Sequence, residues 1–307
     1  MSSIASALLP VFLVIMTGVL LRRVAPLSDE GWRGFGHVTY FVFFPALIIA
    51  TLASAEFSAA SLAGVGTALV TATASTGALM LLLRRPLVAR LGGPAFTSLF
   101  QGATRWNSFV ALAIAGGLHG TQGLSLTAIA FVVLIPALNV AAVSVLTRDG
   151  TGNTRPGIGR TLRTLIANLF IWSCGVGLAL APVNEAIPQV LADTLDILGR
   201  AALGAGLLMV GAGLEIRTLA RFDLAVAIGC VLKLLVLPLI AFGLSHVLGL
   251  GGTEAAVVLI AASVPTASAS YVLAEKMGGD APLMARIITA QTLLAFLTMP
   301  LFIGLAV

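Results

Sequence analysis

Apolar stretches of about twenty residues recur along this chain, each long enough to cross a hydrocarbon layer of about 30 Å. Ten stand out, at about 4–21, 35–54, 60–83, 95–117, 123–146, 162–181, 188–213, 223–248, 254–273 and 282–305. Only 9% of the 307 residues are charged, against about 25% in soluble domains, which excludes a water-soluble core. Backbone groups in lipid must be satisfied within the segment, so these spans are expected to be helices; short alternating barrel strands are missing. The fold class expected is therefore an all-α integral membrane protein with ten transmembrane helices.

The basic residues report orientation. Loops one, three, five, seven and nine hold Arg22, Arg23, Arg33, Arg84, Arg85, Arg90, Arg148, Arg155, Arg160, Arg163, Arg217, Arg221, Lys276 and Arg286, while the even loops hold none. Positive residues favour the cytoplasmic side, so the odd loops are expected inside and both termini outside, in a cytoplasmic (inner) membrane. The net charge of +5 is spread over these short loops with no run of five like charges, which argues against a nucleic-acid arm. The N-terminus has no basic region ahead of its apolar run and reads as a first span rather than a cleaved signal. Cys174 and Cys230 fall within apolar runs, without metal-ligand spacing, and read as small core residues; no metal is expected.

The polar connection "TRDGTGNTRPGIGRT" divides the chain into 1–147 and 160–307, with 148–159 as a cytoplasmic linker. Each half carries five spans, and an odd number sets the second half into the membrane upside down. Such inverted repeats are common in secondary transporters. An offset of 159 residues superposes Gly18 on Gly177, Pro45 on Gly204, and Arg105–Trp106 on Val264–Pro265.

Polar groups at mid-span demand a partner, a wet cavity or a function. Span four carries Gln101, Thr104, Arg105, Asn107 and Ser108, with no acid within helical reach of Arg105. Span nine, in the matching place, carries Pro265 among Ser263, Thr266, Ser268 and Ser270. Proline removes a donor and clashes with the preceding turn, so this helix is expected to open near 261–266. Two half-helix N-termini at mid-depth would face a shared centre, which suits an anion. Arg105, Asn107, Ser108, Pro265, Thr266, Ser268 and Ser270 are the expected substrate contacts; Gln101, Thr104, Asn139, Lys233, Tyr271 and Gln291 are candidates for the cavity wall. Lys233 could equally pair across helices or snorkel. Arg200 has Asp196 and Asp193 on its own helical face, either as a structural ion pair or as a proton relay.

Two stretches resemble the auxin efflux carrier family. "YFVFFPALIIATLASAEF" (40–57) is similar to its second span, and "SVPTASASYVLAEKMGGDAPLMARIITAQTLLAFLTMPLF" (263–302) to its last two. The resemblance implies two inverted five-helix repeats whose disrupted helices 4 and 9 cross at the membrane centre. It also implies a scaffold of spans 1, 2, 6 and 7, a moving transport domain of spans 3–5 and 8–10, and a homodimer through the scaffold. Plant members export an aromatic carboxylate, and bacterial members are associated with dicarboxylates such as malonate or malate. A crossover asparagine is a site residue in the plant proteins, which points to Asn107.

The expected function is elevator-type secondary transport of a small organic anion, with the bilayer as the other partner and no cofactor. The alternatives are a channel or ligand sensor of the same fold, or a sodium-coupled organic-acid symporter. Carbonyls unwound around Pro265 could hold Na+, and Asp193 or Asp196 could carry H+. No phosphate-binding G-x-x-x-x-G-K-[ST] or H-E-x-x-H motif occurs, and no histidine sits mid-span to activate a serine, so an enzyme is not expected.

Overall fold

The computed structural model describes residues 2–24, 27–55, 58–152 and 169–306. The linker from 153 onward, with Arg155, Arg160 and Arg163, lies outside them. The described residues are helical with no strand, in the order α1 (Ser2–Val24), α2 (Asp29–Ala53), α3 (Ala59–Leu82), α4 (Arg84–Leu91), α5 (Gly93–Thr104), α6 (Ser108–Asp149), α7 (Leu169–Leu180), α8 (Gln189–Ala212), α9 (Leu224–Val247), α10 (Gly252–Ser263), α11 (Ala269–Met277) and α12 (Ala281–Gly304). Among these residues eight helical stretches are long and apolar enough to cross a membrane, and the protein is a multi-pass membrane protein.

Helix starts follow capping chemistry. Ser28, Ser58, Asp223 and Asp280 each accept a bond from the backbone N–H three residues on, opening α2, α3, α9 and α12. Two helices loosen ahead of a proline. In α2 a π-turn at Thr39–Phe43 precedes Pro45, and in α9 one at Leu232–Val236 precedes Pro238. Proline cannot donate to the ladder, and the wider turn absorbs the misfit.

The stretch Gly93–Asp149 has 57 residues and would reach about 85 Å if straight, far more than a bilayer. It is broken twice. Residues 105–107 are non-helical, and Gly120 takes φ 56°, ψ −141°, a conformation that favours glycine. The chain folds back there, because Arg105 reaches Asn139 and the Trp106 ring lies 5.4 Å from that of Phe131.

Helices pack in matched pairs. α1 lies on α8 as α7 lies on α2, and α2 meets α8 as α3 meets α9. The glycines follow suit. A methyl on Gly18 would fall 2.2 Å from the Leu208 carbonyl oxygen; one on Gly177 would fall 2.8 Å from Leu52 Cβ and 3.3 Å from Ile49 Cα. Leu208 and Ile49 are themselves 159 residues apart, so the same close approach occurs twice. The helices α5 and α10 are twelve residues each and begin and end at positions offset by the same 159.

On the expected cytoplasmic side, three connections lock together. Asp149 pairs with Arg84 (Nε–Oδ2 2.9 Å), whose pKa the shared hydrogen bond raises. The Thr151 N–H donates to the Gly278 carbonyl (2.9 Å), that of Asp280 to the Pro94 carbonyl (3.1 Å), and the Ser98 hydroxyl to the Asp280 carbonyl (2.8 Å).

A cavity at the crossing of two broken helices

The two breaks touch. After Thr104 the backbone turns extended at Arg105 (φ −76°, ψ 156°), and after Ser263 it does the same at Val264 (φ −64°, ψ 152°). The Asn107 N–H then donates to the Pro265 carbonyl at 2.8 Å, joining the two unwound segments directly. The second helix holds to Ser263 rather than opening at 261, because proline's steric demand falls on Val264, the residue before it, and drives that residue extended. The Ser263 hydroxyl back-bonds to Leu259 (2.6 Å) inside the intact turn.

The first break has no proline. Its restart is set by Asn107, whose Oδ1 accepts from the N–H groups of Phe109 (3.2 Å) and Val110 (3.3 Å), as an N-cap does. The second break is braced from behind. Gln291 on α12 accepts from the Thr266 N–H (2.9 Å) and donates to the carbonyls of Gly102 (2.8 Å) and Gly229 (3.0 Å). The Thr266 hydroxyl donates to the same Gly102 carbonyl at 2.9 Å. Gln291 and Thr266 are both fully buried, so the carboxamide satisfies main-chain atoms the break would otherwise orphan.

In front of the crossing lies a cavity of about 350 Å3, within the range of small-molecule sites. Arg105, Trp106, Asn107 and Ser108 from the first break, Ala267, Ser268 and Ala269 from the second, Asn139 from the second arm of α6, and Gly36, Thr39, Tyr40, Phe109, Ile135, Leu138, Phe170, Met209 and Val210 complete it. The N-terminal turns of α6 and α11 both border it. Arg105 is half-buried; its Nη2 donates to Asn139 Oδ1 at 3.2 Å, while Nη1 is buried with no partner. Asn107 is 1% exposed, and its Nδ2 is also without a partner, as is the Ser268 hydroxyl. No Asp or Glu is among the described residues lining this cavity. It is a cationic, donor-rich chamber with aromatic walls.

Of the expected substrate contacts, Arg105, Asn107, Ser108 and Ser268 line the cavity, as does Asn139. Pro265 and Thr266 sit in the crossing itself, Thr266 fully committed to Gln291 and Gly102. Ser270 is buried with an unpartnered hydroxyl and, like Tyr271, is not among the lining residues. Gln101 and Lys233 are buried behind the crossing, and Thr104 borders a separate apolar cavity with Gly77, Phe100 and Leu138. Asp193 and Asp196 are elsewhere, on a third cavity with Arg200, Ser54 and Thr121; Asp196 pairs with Arg200 at 2.5 Å. Sequence reading missed Thr39, Phe109, Phe170 and Met209 as cavity wall. Aromatic and aliphatic residues in a span look the same whether they face lipid or a ligand.

Helices throughout, with two of them broken and joined at a polar cavity between spans, make this a polytopic membrane protein of the transporter class. Residues 154–303 match the family model described as membrane transport protein. A protein of Methanothermobacter thermautotrophicus named "Uncharacterized transporter" is 24% identical over 302 residues, covering 96% of this chain and 95% of the relative. The second half of the chain thus resembles the membrane transport protein family, that of the auxin efflux carriers, and the match supports a transporter role.

Proposed function

We propose that the protein is a secondary transporter for a small organic anion, working by elevator-type alternating access in the cytoplasmic membrane. The observation that carries the reading is Arg105. It is a cation at mid-span, held by Asn139 yet left with a buried free Nη1, and Asn107 two residues on has an equally free Nδ2. A carboxylate fits both donors, and charge-assisted bonds of this kind are the strong ones. The partial positive ends of α6 and α11 favour the same charge. Tyr40, Trp106, Phe109 and Phe170 offer apolar surface for the body of the substrate.

The fold reading is ten spans in two inverted five-helix repeats: α5 with the first arm of α6 is span four, its second arm span five, and α10 with α11 span nine. Equal half-helix lengths and the repeated glycine contact support it. In this reading α1, α2, α7 and α8 form the fixed scaffold, and the remaining helices move past it with the crossing. Gly36 and Met209, near the cytoplasmic ends of α2 and α8 in the expected orientation, border the cavity, so this is the cytoplasm-facing state. The chambers of about 430 and 350 Å3 around Thr121 then mark the opposite, outer mouth.

Purified protein in liposomes tests the reading with labelled mono- and dicarboxylates. Saturable uptake, accelerated by unlabelled anion on the far side, is expected. Flux that neither saturates nor responds to counter-substrate would indicate a channel, and binding without flux a sensor.

A further inference from the structure

Behind the crossing, away from the cavity, two neighbouring helices each bury a polar side chain that the anion reading leaves unused. Lys233 on α9 is 0% exposed and its ammonium nitrogen has no hydrogen-bond partner; Gln101 on α5 is 0% exposed, and neither its amide nitrogen nor its oxygen has one. The helices that carry them meet at this level, because the Gln291 Nε2 bridges the carbonyls of Gly102 and Gly229. Gln101 is next to Gly102, and Lys233 follows Gly229 by one turn. Lys233 also sits within the π-turn Leu232–Val236, a distortion often found at functional positions.

A buried ammonium needs a counter-charge. The elements packed against this turn offer none nearby: α5 has no titratable group, α10 carries Glu254 at its far end from the crossing, and α12 carries Arg286, paired with Asp223 at 2.8 Å. On α9 itself, Cys230 is one turn earlier and His246 near the outer end. Among the described residues the site thus holds an amine and an amide without a carboxylate.

The geometry points to Lys233 and Gln101 as a proton-carrying site behind the crossing, so that the protein moves its anion together with a proton. The inference rests on the anion reading and deepens it. The amine lone pair takes a proton from water on one side, forming one N–H bond, and returns that proton to water on the other side. Gln101 carries an acceptor in Oε1 and a donor in Nε2, neither spent on another group, so it has one suited to each form of the amine. An anion in the cavity supplies the missing counter-charge across the crossing, and by linkage the proton strengthens anion binding as much as the anion strengthens proton binding.

The chain has two lysines, Lys233 and Lys276, which makes a direct test practicable. Full-length protein labelled with 15N at lysine Nζ, in nanodiscs, should give two signals, and Lys233→Met identifies one of them. The Lys233 signal is expected to respond to pH between about 6 and 9; a signal unmoved over that range overturns the proposal. In liposomes with malonate as probe and an acidic exterior, wild type should concentrate malonate at least about fivefold more than K233M, which only equilibrates it. K233R, permanently charged, should also fail to concentrate it. Equal accumulation by wild type and K233M overturns the proposal. If no protein moves malonate or any other carboxylate, the anion reading fails while the lysine signals still decide the proton site.

Discussion

The break at 105–107 and the break at 264–268 begin with nearly the same extended residue and carry quite different side chains. The first offers its cation, its free amide and Ser108 to the cavity, and keeps its shape through an asparagine cap. The second turns its polar main chain inward, to Asn107 and Gln291, and shows the cavity mainly Ala267, Ser268 and Ala269. Two breaks that begin alike have therefore divided into a recognising half and a bracing half. Proline is found on the bracing side, where a fixed backbone serves best.

The largest expected effect separates the halves at once. Arg105→Ala should lower carboxylate transport or affinity by about tenfold to a hundredfold, the range for a bond to a charged partner, with thermal stability nearly unchanged. Normal flux in that variant would remove Arg105 from the site. Gln291→Leu should do the reverse: orphaning the Thr266 N–H and two carbonyls should destabilise the detergent-solubilised protein by about 2–3 kcal/mol, read as an earlier denaturation midpoint. An unaltered midpoint would mean water replaces the carboxamide and the bracing role is wrong. Asn107 belongs to both roles. Asn107→Asp keeps the cap, so stability should hold while the added negative charge weakens anion binding; Asn107→Ala should also cost about 1 kcal/mol of stability. Binding that survives in Asn107→Asp would assign the residue to structure alone. Ser270→Ala, outside the cavity lining, should change stability by less than about 1 kcal/mol and leave substrate affinity alone; a large affinity loss would extend the site past Ser268.

Much of this was legible from residue types. Pro265 and the cluster from Gln101 to Ser108 marked both breaks, because helix breakers and mid-span polar groups are costly in lipid and rarely idle. Harder to read was which way each group faces. Gln291 and Gly102 are 189 residues apart, and nothing local distinguishes a carboxamide that braces a backbone from one that greets a ligand. Phe109 and Phe170 are likewise apolar residues in apolar runs, and only the packing of α2, α6, α7 and α8 turns them towards the cavity. Asp193 and Asp196 attracted attention as acids, yet Asp196 and Arg200 sit as a pair on a separate chamber, each satisfied by a neighbour one turn away.

The equal lengths of α5 and α10 act as a pair of calipers. Each half-helix measures the distance from its own first residue to the Asn107–Pro265 bond. Deleting one residue from either would draw its tip back by about 1.5 Å and rotate it by about 100°. These two twelve-residue stems are therefore expected to keep the same count, or to change it together.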